Sequence, residues 1–169
     1  MVGMLIIELI LETMQGGLTL YQQGEIERVT ALASRQVMVG TSGSGSMTAT
    51  QFVQQVICPN LSSALSCSNV VVDSQTVSEA AQPGGFYTYV KSDLSNLVAP
   101  PTSQSSASFC TGASGAVVYM RVTYLAPAIS PAFRAFATAN GSTVNGVLVH
   151  PITAYAAFRN EPFPGGVGC

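Results

Sequence analysis

Residues 4–39 read MLIIELILETMQGGLTLYQQGEIERVTALASRQVMV, and this proline-free stretch decides the fold. Its first half repeats apolar side chains at a helical spacing of four residues, as at Ile6 and Ile10. Its second half is amphipathic, with apolar positions such as Ile26 and Val29 on one side and most charges elsewhere. The stretch predicts one long helix of roughly 50 Å, at about 1.5 Å per residue.

The first part of this helix approaches the length of a membrane span. Residues 1–20 are mostly apolar, and about 20 such residues cross a bilayer. Glu8 and Glu12 interrupt the run, and carboxylates are costly in lipid. We therefore expect that, in a bundle of such helices, these carboxylates are protonated or pair with groups on neighbouring helices. No basic residue precedes the run, which argues against a standard secretory signal peptide. Gly16, Gly17 and Gly24 each weaken the helix by about 1 kcal/mol relative to Ala, and they indicate a bend, a melted stretch or close helix packing.

The composition describes a protein with few charges. Charged residues make up 8% of the chain and apolar residues 47%, whereas a soluble domain carries about 25% charged residues. Ser, Thr, Gln, Asn and Gly must therefore form the surface, as in secreted proteins and in subunits that pack against copies of themselves. The net charge is −2 and Lys91 is the one lysine, so the composition disfavours nucleic-acid binding.

The remaining sequence predicts a linker and a head. Residues 40–46 read GTSGSGS, a flexible composition. Thr48 and Gln51 have the spacing of a capping box, which predicts a second helix running to about Ile57. We expect three segments: a membrane or filament-core helix (1–40), a Gly/Ser linker (41–47) and a disulfide-stapled α+β head (48–169). Runs of β-branched and aromatic residues, bounded by turn residues, predict strands at 70–72, 86–90, 115–125 and 147–158. A Ser- and Pro-rich loop is predicted at 92–108 and a short helix at 132–139.

The four cysteines predict disulfides. Their number is even, no CxxC pair occurs, and the one histidine is far from them, so a zinc site is disfavoured. Four cysteines allow three pairings. The pairing of Cys58 with Cys67 closes a short loop, and it leaves Cys110 with Cys169 to tie down the C-terminus. The alternative is that some or all are free thiols in a cytosolic protein.

No catalytic arrangement is evident in the sequence. His150 precedes a proline, and a lone histidine is more often structural. Cys110 as a nucleophile with His150 as base is conceivable, but a disulfide fits Cys110 better. No GxSxG motif and no paired-carboxylate motif occur. We expect no enzyme activity, no cofactor and no metal.

The chain resembles the TadE-like family of tight-adherence pilus systems, which are type IV pilin-like. The resemblance covers most of residues 12–163 and rests on the order and spacing of several features. The features are the helix ending in Ala33-Ser34-Arg35-Gln36, the run from Met47 through Cys58 and Cys67 to Asp73, the strand Gly115 to Tyr124 with Arg121, and the ending Ala156 to Phe163.

The resemblance implies a pseudopilin of the bacterial inner membrane with a periplasmic head, or a subunit of an extracellular pilus. Its partners would be other pilin subunits, as a homo-oligomer in a filament, and the inner membrane before assembly. Cleavage between Gly3 and Met4 would make Glu8 the fifth mature residue, as in the family. Glu8 or Glu12 would then pair with the N-terminal amine of a neighbouring subunit. A three-residue leader without a basic residue departs from the family pattern, and a start upstream of Met1 is the alternative.

Two other function classes remain open at this point. A secreted structural coat protein would assemble through its head without the N-terminal helix. A periplasmic binding module would bind a small ligand saturably. The pilin-like class predicts instead that the N-terminal helix is processed or resides in a membrane.

Overall fold

The computed structural model describes residues 2–40, 47–77, 87, 89–139 and 143–162, and it confirms the predicted α+β fold. A long N-terminal helix is followed by a short helix and an antiparallel sheet. The elements are α1 (Val2–Met38), α2 (Ala49–Phe52), β1 (Val70–Val77), β2 (Val117–Pro127), α3 (Pro131–Ala139), β3 (Thr143–Val144) and β4 (Val147–Arg159). The predicted linker at 41–47 lies outside the described residues except for Met47.

Helix α1 is continuous over 37 residues, or about 55 Å. It passes through all three of its central glycines without a break. A Cβ atom added at Gly16, Gly17 or Gly24 would meet no atom within 4 Å. These glycines therefore neither melt the helix nor allow a close contact within the described chain.

The predicted capping box opens α2. The Oγ1 of Thr48 accepts a hydrogen bond from the Gln51 N–H at 3.3 Å, and the Gln51 Oε1 accepts one from the Thr48 N–H at 2.9 Å. The helix continues as a π-helical turn, Val53–Ile57, and then as a 3₁₀ turn, Cys58–Asn60. Pro59 lies in that last turn, where the sequence predicted the helix to end.

The sheet has the order β1-β2-β4-β3, and every neighbouring pair is antiparallel. Val72 of β1 pairs with Val122 of β2, which pairs with Ala154 of β4. These three residues belong to the face that packs on α1, α2 and the π-helical turn. The opposite face is partly covered by the loop between β1 and β2.

The disulfide between Cys58 and Cys67 is confirmed. Its Cα atoms lie 5.6 Å apart, within the usual range for a disulfide. The bridge closes the loop that follows the π-helical turn and joins it to the start of β1. Cys110 is buried and is not a free thiol. Its predicted partner, Cys169, lies outside the described residues.

The predicted strand at residues 86–90 is wrong for the residues that the structure describes. Val90 forms one isolated bridge with Leu97, and the Val98 N–H donates to the Tyr89 carbonyl at 2.8 Å. The described residues of this segment therefore hydrogen-bond within their own loop and do not pair with a strand of the sheet. The side chain of Tyr89 packs against the sheet from outside it. The predicted strands at 115–125 and 147–158 and the predicted helix at 132–139 are confirmed within two residues.

Candidate functional site: the N-terminal helix and its junction with the head

The first half of α1 is apolar and exposed. The helix is long and apolar enough by composition to cross a membrane, a test that a signal sequence also passes. Met4 is 81% exposed and Leu9 is 67% exposed. The large apolar side chains exposed on this half are Met4, Leu5, Ile6, Ile7, Leu9, Ile10, Leu11, Met14, Leu18 and Leu20. Soluble monomers rarely expose so large a contiguous apolar surface, which usually marks a protein or membrane contact.

The second half of α1 is docked on the head. Ile26, Val29, Ala33 and Val37 are at most 1% exposed, and they recur at helical spacing toward the sheet. The loop closed by the disulfide also holds this half. Arg28 Nη2 donates to the carbonyl of Asn60, and the hydroxyls of Tyr21 and Ser62 lie 2.8 Å apart. A single helix therefore has one end embedded in the head and one end without a partner among the described residues.

Glu12 and Gln15 hydrogen-bond to the head from within the first half of α1, where the helix meets the start of α3. Glu12 Oε2 accepts a hydrogen bond from Ser130 Oγ at 2.8 Å, and Glu12 Oε1 accepts one from the Ala132 N–H at 2.8 Å. The first N–H groups of a helix have no partner within the helix and favour negative charge. Glu12 therefore caps α3 from another element.

Gln15 completes this junction, which we define as Glu12, Gln15, Ser130 and Ala132. Its side chain is 6% exposed. Its Oε1 accepts hydrogen bonds from the N–H groups of Ile129 and Ser130, and its Nε2 donates to the Pro127 carbonyl at 3.1 Å. Backbone N–H and carbonyl groups between β2 and α3 thus find their hydrogen-bond partners in a side chain of α1. These bonds fix the direction of α1 relative to the head.

His150 lies on β4 beneath α1 and α3. Its Nε2 is 3.4 Å from the Thr19 hydroxyl, and its ring centroid is 4.9 Å from that of Phe133. Its Nδ1 is buried without a hydrogen-bond partner. Burial lowers the pKa of His150 below its usual value of 6.5. His150 contacts a hydroxyl and an aromatic ring, which fits a structural role in packing.

The most polar buried cluster lies on the opposite face of the sheet. Arg121 Nη2 and Asp73 Oδ2 are 2.7 Å apart, and both side chains are almost fully buried. Arg121 Nη1 donates to the Val98 carbonyl at 2.9 Å. The guanidinium carbon lies 4.4 Å from the centre of the Tyr89 ring, in a cation–π arrangement. Burial is the main cause that raises the pKa of Tyr89, whose hydroxyl donates to backbone carbonyls of β1 and β2.

Glu8 and Glu12, the two carboxylates predicted to pair with a neighbouring subunit, lie in different environments. Glu8 is exposed on the apolar half of α1 and has no hydrogen bond or ion pair with a described residue. Glu12 lies in the junction. Gly3 and Met4, the predicted processing site, are exposed at the free end of the helix.

The described part of the chain brings together no group of three metal-binding side chains. No family model, curated protein or solved structure matches the chain. The functional conclusion therefore depends on the geometry of the chain itself.

Two features were missed in the sequence. The roles of Gln15 and Ser130 depend on a contact across 115 residues. Ser130 before Pro131 is a helix-start signal, which could have indicated α3 but not that α1 caps it. The pairing of Asp73 with Arg121 had no local signal, because it follows from the register of β1 with β2.

Proposed function

We propose that this chain is a pilin-like or pseudopilin subunit that takes part in assembling a type IV (tight-adherence) pilus or a related surface filament. The observation that carries the proposal is the division of α1 between a half buried in the head and an apolar, exposed half. In this proposal the exposed half resides in the bacterial inner membrane before assembly. It packs against the helices of other copies in the filament.

Physical chemistry favours such a partner for the exposed half. Each Å² of apolar surface removed from water contributes about 25 cal/mol, so large exposed Leu, Ile and Met side chains gain several kcal/mol on burial. Lipid and neighbouring helices both supply that burial. The low charge content adds little repulsion between copies. A disulfide between Cys58 and Cys67 is in keeping with a periplasmic or extracellular head.

Glu8 has the environment that the proposed pairing needs. It is exposed among apolar side chains and has no described partner within the chain. Processing between Gly3 and Met4 would create a cationic amine at Met4. In a filament, Glu8 would pair with that amine of a neighbouring subunit and avoid an unpaired buried charge. Glu12 is already hydrogen-bonded to α3, so Glu8 is the better candidate of the two.

The test combines processing with assembly. Non-reducing intact mass and N-terminal peptide identification would be applied to membrane and sheared surface fractions of cells expressing the chain. We expect a mature chain that begins at Met4 and carries disulfides. Glu8→Ala should reduce the amount in the sheared fraction.

Glu27→Ala is the matched control, because Glu27 is an exposed glutamate on the docked half of the same helix. It should assemble normally. An unprocessed chain found only in the soluble fraction, with or without Glu8, would contradict the proposal.

A further inference from the structure

The end of the head nearest the free half of α1 is itself apolar. We define the base of the head by Ile129, Phe136 and Val147, which are 69%, 61% and 51% exposed. Ile129 lies between β2 and α3, Phe136 lies on α3, and Val147 begins β4. Ile129 and Val147 lie where β2 ends and β4 begins, since Pro127 pairs with Val149. Phe136 lies on α3, which packs on β4 and contacts it through Phe133 and His150.

The base meets the apolar surface of α1 at Ile129. Ile129 and Ser130 line a cleft of about 160 Å³ together with Leu11, Met14, Gln15 and Leu18 of α1, so four of its six lining residues are apolar. On α3, Ala137 is buried and Phe133 packs on His150, whereas Phe136 is mostly exposed. The helix therefore has apolar side chains on its exposed side as well as its buried side.

The junction fixes how far the base stands from the free half of α1. Glu12 and Gln15 hold the segment from Pro127 to Ala132, so α1 leaves the head at about Glu12. Residues 3–11 extend beyond that point by about 14 Å, which is half of the roughly 30 Å hydrocarbon core. When these residues enter a bilayer and the junction is intact, the base comes to the interface between lipid headgroups and acyl chains.

The charges of this region suit a lipid surface. Residues 125–139 and 143–151 contain no Asp or Glu. The carboxylate of Glu12 reaches this region from α1, and both of its oxygens accept hydrogen bonds there, from the Ser130 hydroxyl and the Ala132 N–H. The one permanent charge in these two segments is Arg134, which is exposed on α3. An arginine at an interface places its apolar stem along the acyl chains and its cation among anionic headgroups.

We propose that the base of the head is a membrane-docking surface, in which α3 lies at the interface of an anionic bilayer and Phe136 and Ile129 enter it. This inference rests on the proposed membrane residence of α1, and it goes beyond it by assigning a second lipid contact to the head. Interfacial helices bury their apolar face about 5–10 Å into the headgroup and acyl boundary. Because the junction fixes α1 relative to the head, the two contacts together set the tilt of the whole molecule against the bilayer, which insertion of α1 alone would leave undetermined.

The chain contains no tryptophan, so single substitutions give probes without background fluorescence. Phe136→Trp reports on the base, Leu9→Trp on the free half of α1, and Leu97→Trp on a distant loop. Leu97 is 57% exposed, which matches the exposure of Phe136, and its loop packs on the opposite face of the sheet. Each full-length variant would be reconstituted in phosphatidylethanolamine–phosphatidylglycerol vesicles, with and without lipids brominated near the headgroup end of the acyl chain.

We expect the emission of the probes at 9 and 136 to shift to the blue and to be quenched by the brominated lipids, with the probe at 97 unaffected. If the probe at 9 is quenched but the probes at 136 and 97 are not, the docking of the base is overturned and the membrane residence of α1 is left intact. Quenching at none of the three positions would overturn both. Equal quenching at all three positions would also overturn the docking, because the base would then contact lipid no more than the distant loop does. A blue shift at 136 without quenching would overturn it as well, because the base would then be covered by a second copy of the chain and not by lipid.

Discussion

At the scale of single residues, the Asp73–Arg121 pair has the largest expected effect on stability. Removing one member of a buried ion pair leaves the other charge unpaired, which typically costs about 3–5 kcal/mol. We expect Asp73→Leu to lower the free energy of unfolding by roughly that amount, measured by urea unfolding followed by circular dichroism. Arg121→Met with Asp73→Leu removes both charges, so the double variant should recover most of the loss. Equal losses in the single and double variants would mean that packing, not charge, dominates at this site.

His150 gives the head a pH dependence whose sign follows from its environment. Burial lowers its pKa in the folded protein, and its ring lies against the uncharged side chains of Thr19 and Phe133. Between the lowered pKa and about 6.5, the unfolded chain binds a proton that the folded chain does not. The contribution of His150 to stability is therefore fully present above about pH 6.5 and declines as the pH falls.

The measurement is the urea midpoint of the wild type and of His150→Gln between about pH 5 and 8. Gln retains a polar group near Thr19 but does not titrate in this range. We expect the midpoint of the variant to fall less steeply with decreasing pH. Parallel curves would show that other groups cause the pH dependence.

At the scale of elements, the two glutamates of α1 should separate stability from assembly. Glu12 caps α3, and loss of a capping side chain costs about 0.5–2 kcal/mol. We expect Glu12→Ala to lower the free energy of unfolding of the head by about 1–2 kcal/mol, since two charged hydrogen bonds are lost. Glu8→Ala should leave it unchanged, because Glu8 contacts no described part of the head.

Both variants would be unfolded with urea in the same detergent, with circular dichroism as the readout. Glu12→Gln is a useful third variant, because it keeps an acceptor oxygen but loses the charge. Its stability should lie between those of the wild type and Glu12→Ala. If Glu8→Ala and Glu12→Ala lose the same amount of stability, the junction does not stabilise the head.

The same elements show how far sequence reasoning reaches. The spacing of apolar residues predicted α1, and the Thr48–Gln51 motif predicted the start of α2, because both signals are local. The disulfide at Cys58 followed from the short loop to Cys67. The strand predicted at 86–90 was wrong for the three residues described there, because alternating aromatic residues are typical of any segment that packs one side against a core. The junction could not be predicted, since Glu12 and Ala132 meet only after the sheet has formed.

At the scale of the whole molecule, the head is expected to be independent of the free half of α1. Toward the N-terminal end of α1, Glu12 hydrogen-bonds to the head and Leu11 lines the cleft that faces Ile129, whereas the large apolar residues from Met4 to Ile10 are exposed. The exposed apolar side chains before that point stabilise nothing within the described chain. They should instead cause the full-length protein to need detergent.

Two truncations test this division. A chain without residues 1–8 keeps a turn of helix before Glu12 and should retain the urea midpoint of the full-length protein, while needing less detergent to stay monomeric in size-exclusion chromatography. A chain without residues 1–20 also loses Glu12, Gln15 and Thr19. We expect it to be less stable by roughly 2–4 kcal/mol, because the hydrogen bonds of Glu12 and Gln15 to α3 and its preceding loop disappear, together with the contact between Thr19 and His150 of β4. If the shorter truncation already unfolds the head, the free half of α1 is a structural part of the fold and the membrane or filament role assigned to it fails. If the two truncations are equally stable, the junction is not what couples the helix to the head, and the docked face from Ile26 to Val37 alone supports it.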